Sequence, residues 1–277
     1  MRRFWTILIS AWILTAPVAM AGNLGTSVDV DMRYSEGATM MNRMLTDEEF
    51  WSDAHKWDYD DSKHWYDKIM LKPVENGYVP MISGEGDSDL PHEVVADIVF
   101  SKMTRLPLYM SGAKAVHNLG KGYDKKIGAD YQDSFFYLDL TLFYVTYKQR
   151  MYRKHDEASG QTFLWFEKLT PEFVDAATWD AYNVEAAAVA EKVDKRWAFG
   201  SVLEIDQIYG MFIVGKGNTR ESRVTFVSKL AFGSDAGFIA KAGSQMKGVL
   251  KAGLKSGFVA SVNIAKHENE KRSKTPG

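Results

Sequence analysis

A series of strand-like runs, interrupted once by a helical pattern, extends from Tyr131 to Phe232, and one long, glycine-bearing helical pattern follows it. That order limits the fold more than any single motif does. "YQDSFFYLDL" leads into "FYVTYKQRMYRKH", and "QTFLWFEKL" follows the hairpin signal Asp156 to Gly160. Aromatic and β-branched residues bounded by turn formers read as strands. "SVLEIDQIYGMFIVGKG" and "SRVTFVSKLAF" are separated by the turn Gly215-Lys216-Gly217-Asn218. In the last run Val224, Phe226, Ser228 and Leu230 alternate onto one face. Strands joined by short turns run antiparallel.

Upstream, "YVPMIS" (78–83) predicts a short strand, and "KAVHNLGKGY" predicts a strand with a glycine turn. Between them lies "DSDLPHEVVADIVFSKMTRLPLYM". Asp89 is placed to cap a helix there, and Pro91 suits its first turn. Val94, Val95, Ile98 and Val99 form a stripe of 3.6-residue period, and Pro107 ends it. From Pro171 to Trp197 the pattern switches back to helix around "VEAAAVAEKVDKRW". Residues 171–198 therefore read as a helical insertion at a sheet edge and a candidate lid.

The first 21 residues, "MRRFWTILISAWILTAPVAMA", place Arg2 and Arg3 before an apolar stretch from Phe4 to Leu14 and the small-x-small site Ala19-Met20-Ala21. This is a signal-peptide pattern, and its apolar stretch is shorter than the roughly 20 residues of a membrane span. It predicts export to a bacterial periplasm or beyond. With no cysteine, the 256 residues that remain (277 − 21) must be held by their core. Residues 22–65 are acidic and carry Trp51, Trp57 and Trp65. Thr46 and Glu49 have capping-box spacing for a helix start, so this stretch reads as an extension laid over a main domain of residues 66–267. Residues 268–277 read as a charged, frayed tail. The net charge of −2 gives no reason to expect nucleic acid, whereas 13% aromatic residues suggest a large apolar interior or an apolar ligand.

The final helix pattern runs from about Asp235 to His267. Advancing about 100° per residue from Ile239, Met246, Leu250, Gly253, Gly257 and Ile264 fall within about 40° of it, with Lys241, Lys251, Lys255 and Lys266 on the opposite side. Glycine in a helix interior costs about 1 kcal/mol relative to alanine. Two on the buried face imply close approach of the sheet or free volume for a ligand. Helices segregated from an antiparallel sheet make the chain α+β, with one long helix covering the sheet and a pocket between them.

At this point the chain resembles a known family. From about Tyr78 to Lys266 it is similar to the START-like helix-grip domains, the steroidogenic-acute-regulatory-related lipid-transfer family and its bacterial relatives. "DLPHEVVADIVFSKMTRLPLYM" resembles the family's first helix. "SRVTFVSKLAFGSDAGFIAK" resembles its last strand running into the terminal helix, with Ala240 where a proline is common. "FYVTYKQRMYRKH" stands where the family has an Arg-Asp strand; Arg150 is present and no acidic residue follows it. The resemblance implies a curved antiparallel sheet wrapped around a long C-terminal helix.

No catalytic constellation emerges from the sequence. His55, His64, His92, His117, His155 and His267 show no zinc-protease spacing. "GKGNTRES" lacks the phosphate-loop spacing and reads as a hairpin. No cofactor or metal is expected. The expected function is binding, and carriage, of a hydrophobic small molecule or lipid, with transient membrane contact. Candidate wall residues are Gln149, Arg150, Met151, Phe163, Trp165, Met211, Ile213, Phe226 and Ser228 on the sheet, and Met246, Leu250, Gly253 and Gly257 on the helix. Arg150 has two readings. It either meets a ligand's polar group, or alternation puts it with Lys148 and Lys154 on the solvent face and leaves Gln149 as the nearest polar group. The alternatives are an enzyme of cyclase, dehydratase or hydrolase type, using Gln149, Tyr209 or Ser228, and a non-catalytic envelope interaction protein with a filled core.

Overall fold

The computed structural model describes residues 58–60, 65–74, 77–139, 144–193, 202–217, 220–232, 260, 263–271 and 273–274, and of residues 58–85, 203–204, 206–207, 227 and 229–232 the backbone alone. The elements are β1 (Asp58–Asp60), β2 (Trp65–Val74), β3 (Gly77–Ser88), α1 (His92–Ser101), a 3-10 turn (Met103–Leu108), β4 (Ala113–Asp124), β5 (Ala129–Asp139), β6 (Tyr144–Asp156), β7 (Gln161–Lys168), a second 3-10 turn (Pro171–Phe173), α2 (Ala176–Glu191), β8 (Val202–Lys216) and β9 (Ser222–Phe232). Ala260 and residues 263–271 are helical. The C-terminal helix therefore runs past His267 into the stretch read as a frayed tail. Its expected span from Asp235 to Val259 lies outside the described residues, as do the signal-peptide pattern and the capping-box helix at Thr46.

The strands form one sheet in the order β1-β2-β3-β9-β8-β7-β6-β5-β4. Neighbours along that order are antiparallel. One parallel contact, Tyr144–Thr146 with Val202–Glu204, closes the sheet beyond the end of the short β7. Register shifts in β4 and β8 are the bulges that bend such a sheet. With helices packed on it, this is the α+β helix-grip arrangement. The sheet begins at Asp58, inside the stretch read as an N-terminal extension, and Trp65 is the first residue of β2.

α1 starts one residue later than expected. Pro91 is its cap and no side chain caps it, so Asp89 does not. Ser88 Oγ instead accepts the Leu90 backbone N–H. The helix ends at Ser101, because Lys102 leaves helical geometry, and Pro107 lies within the following 3-10 turn. α2 is capped as its composition suggests. Asp175 accepts the Thr178 backbone N–H at 2.9 Å, and the Thr178 hydroxyl donates to its other oxygen.

The helices divide the sheet into two covered faces. On the inner face, Ile98 and Val99 of α1 and Ile264 and Ala265 of the C-terminal helix share a core with Met151, Leu164, Phe166, Phe212 and Val224. On the outer face, Ala186 of α2 packs on Phe135, Tyr137 and Tyr144. The segment after β7 thus covers the outer side of β4–β6, where β6 supplies Tyr144 and Lys148. Its described part is not a lid over the inner face.

Candidate functional site

Strand alternation sends Phe136, Ser134 and Gln132 of β5, and Tyr147, Gln149 and Met151 of β6, to the inner face. Phe136 and Tyr147 belong to the inner core, and their rings stack at 4.9 Å in parallel planes. Burial raises the Tyr147 hydroxyl above its ordinary range. Register sets Ser134 opposite Gln149 and Gln132 opposite Met151. Gln132 Nε2 donates to Ser134 Oγ at 3.4 Å. All three polar residues are buried. Among the described residues the inner wall is therefore mainly apolar, with a small polar patch on β5 and β6 and Ser228 apart from it on β9.

Beside it, Phe166, Phe212 and Phe226 form an aromatic cluster, with Phe212 and Phe226 4.6 Å apart. The Phe166 ring lies directly on Gly210, its cross-strand partner. A Cβ at Gly210 would sit 2.0 Å from Phe166 Cζ. The isolated glycine in "QIYGMF" is the sequence signal for this close approach. Ser228, opposite Gly210, donates to the Tyr209 carbonyl at 3.0 Å. Its hydroxyl is engaged within the sheet.

The structure splits the expected wall residues between the faces. Gln149, Met151, Phe226 and Ser228 lie on the inner face. Arg150, Phe163, Trp165, Met211 and Ile213 lie on the outer face, because Phe226 pairs with Phe212 and so leaves Ile213 opposite Thr225. Trp165 confirms the phase by stacking on outer-face Tyr152 at 5.1 Å. Tyr209, weighed as an acid–base group, pairs with Glu167 on that outer face. Met246, Leu250, Gly253 and Gly257 lie outside the described residues.

Arg150 shares its face with Lys148 and Lys154, but that face is not solvent: Arg150 is 3% exposed. Asp133 and Glu167 flank it in register on β5 and β7. Arg150 Nε and Nη2 donate to the two Asp133 oxygens, each at 2.7 Å. Nη1 donates to the Phe173 carbonyl at 3.4 Å, and Tyr182 of α2 donates its hydroxyl to Asp133 at 3.1 Å. The guanidinium lies 3.9 Å from the Tyr131 ring centre. Burial pulls the Arg150 pKa down, and the Asp133 carboxylate outweighs this, so its charge is secure. Burial pushes the Glu167 carboxyl up to about 8, with Arg150 drawing it partly back. No acidic residue follows Arg150 along β6, and its acidic neighbours come from the adjoining strands.

No protein-family model matches the chain, and no curated protein does. Solved structures do. A STAR-related lipid transfer protein from Xanthomonas axonopodis matches at 11% identity over 76% of this chain and 97% of its own, with a TM-score of 0.48. Human STARD10 matches at 9% identity over 82% and 83%, also at 0.48. The Zhui aromatase/cyclase from Streptomyces sp. R1128 matches at 12% identity over 72% and 98%, at 0.43. These matches include lipid-transfer proteins and an aromatase/cyclase, at identities of 12% or less and TM-scores below 0.5.

Proposed function

We propose that this chain binds and carries one hydrophobic molecule, of lipid type, against the inner face of the sheet beneath the C-terminal helix. The observation that carries this reading is the buried Gln132–Ser134–Gln149 patch set in an otherwise apolar aromatic wall. Apolar ligand sites have this composition, with a large apolar surface and a few polar groups that fix orientation. Gln132 already donates to Ser134 Oγ, and a ligand's hydroxyl or ester oxygen would be a further partner for the patch. Affinity would rest on burial of apolar surface at roughly 25 cal/mol per Å².

The same wall favours a carrier over an enzyme. Gln132, Ser134, Gln149 and Ser228 do not titrate near neutrality, whereas the carboxyl suited to proton transfer, Glu167, lies on the other face. Residues 1–21 are proposed to direct export, which places the cargo in the cell envelope. Mass spectrometry of organic extracts from the natively purified protein tests the reading. A co-purified lipid in near-equimolar amount is expected. Protein that carries none, and gains no thermal stability from any phospholipid, fatty acid or sterol offered, would refute it.

A further inference from the structure

α2 is held to the outer face by polar bonds more than by apolar burial. Of its 16 residues only Tyr182 and Ala186 are buried. The Tyr182 hydroxyl donates to Asp133 at 3.1 Å and rests over Gly120 of β4, where a Cβ would collide with it. Lys148 Nζ donates to Asn183 Oδ1 at 2.8 Å and lies 4.6 Å from the Trp179 ring centre. His117 and Glu185 meet at 3.1 Å. Just before the helix, the Phe173 carbonyl accepts from Arg150. The Asp133 oxygen that accepts from Tyr182 also accepts from Arg150 Nη2. Residues 171–191 are thus tied, at Phe173 and at Tyr182, to one buried ion pair.

Glu167 is the unmatched member of that cluster. It stands beside Arg150 in register and is 7% exposed, and among the described residues no hydrogen bond reaches its carboxyl. The ionisable groups on its face are Tyr131 and Asp133 of β5, and Lys148, Arg150 and Tyr152 of β6. Tyr209 stands opposite it on β8, with Lys229 next in register on β9, and Tyr182 comes from α2. Glu172 in the turn is exposed. Burial raises the Glu167 pKa, and of these groups Arg150 draws it partly back. We propose that residues 171–191 form a proton-controlled strap, closed on the outer face while Glu167 is neutral and released as a unit when Glu167 ionises. Ionised, Glu167 sets a second buried carboxylate beside a guanidinium that Asp133 already holds through two bonds. An unmatched buried charge is costly, and water relieves it. Lifting a helix with two buried side chains admits that water while the strands keep their ladders, so release precedes unfolding. It uncovers Phe135, Tyr137 and Tyr144, which pack against α2 in the closed form.

The strap lies on the outer face and does not depend on the cargo, so it and the carrier reading fail separately. Its test is amide hydrogen exchange of the full-length chain as a function of pH. Protection factors remove the intrinsic pH dependence of exchange. In α2 they should fall by close to tenfold per pH unit between about 5.5 and 7.5, the linkage of one proton, and level off above about 8. They should also lie below those of β7 and β8 and be insensitive to low urea, as local opening requires. E167Q should abolish the slope. Y182F should lower α2 protection severalfold at every pH, through the lost bond to Asp133, and keep the slope. It retains Glu167, so it carries the test should E167Q unfold. Wild-type α2 protection that ignores pH, an unchanged slope in E167Q, or Y182F that exchanges like wild type would overturn the proposal. So would α2 amides that exchange only together with β7 and β8 and with the same urea dependence.

Discussion

Arg150 and Asp133 face each other across β5 and β6, and both guanidinium–carboxylate bonds measure 2.7 Å with neither side chain more than 3% exposed. Removing one partner leaves the other charge buried and unpaired. D133A should therefore cost about 3–5 kcal/mol. The double replacement D133L/R150M should recover much of that loss, since apolar side chains of similar volume need no partner there. Urea denaturation of the three forms provides the comparison. A D133A variant as stable as wild type would show that the pair is not structural.

Glu167 makes the same cluster pH-dependent. Its folded pKa, about 8, stands above the ordinary 4.5. Between those values the unfolded chain releases the proton and the folded chain keeps it, so stability falls as pH rises. The contribution is fully present below about 4.5 and lost by about 8. At one pKa unit per 1.36 kcal/mol, the loss is on the order of 3–5 kcal/mol. E167Q should flatten this part of the profile, read as melting temperature between pH 5 and 8. An identical slope in E167Q would place the titrating group elsewhere.

Gly210 has no room for a side chain while Phe166 keeps its place. G210A must displace that ring and should cost about 1–3 kcal/mol as an overpacking change. G210A/F166L, with a smaller side chain above the new methyl, should recover part of it. Additive losses in the double variant would contradict the ring-on-glycine contact.

Gln149 should matter to ligand choice more than to folding. Q149L is expected to weaken binding of a lipid bearing a hydroxyl or ester by about tenfold, the worth of roughly one hydrogen bond, and to spare a purely hydrocarbon probe. Titration of both ligand types into wild type and Q149L, followed by fluorescence, separates these effects. Equal weakening of both would assign Gln149 a packing role.

Much of the sheet was legible because its strands are locally marked. The runs read at 131–140, 143–155, 161–169, 201–217 and 222–232 correspond to β5–β9 within two residues at each end. β1 and β2 were not, because "DYD" lies within the acidic, tryptophan-bearing stretch and "WYDKIMLKPV" carries Asp67, Lys68, Lys72 and Pro73. The side of the sheet was legible only in part. Alternation identifies a face when the other meets water, and β7 is buried from Thr162 to Glu167 without a break. Phe163 and Trp165 therefore read as inner-wall residues as readily as Leu164 and Phe166 do.

The sequence by itself determined β5–β9 and the presence and order of β3, α1, β4 and α2, since turn chemistry and hydrophobic period act over a few neighbouring residues. Tertiary structure decided what those segments do to one another. Register across β5, β6 and β7 aligned Asp133, Arg150 and Glu167, which lie 17 residues apart at each step, and α2 then closed over them. Cross-strand pairing thus made a charge expected at a ligand or in solvent into a buried one, and left the glutamines on the opposite face as the polar groups of the proposed site.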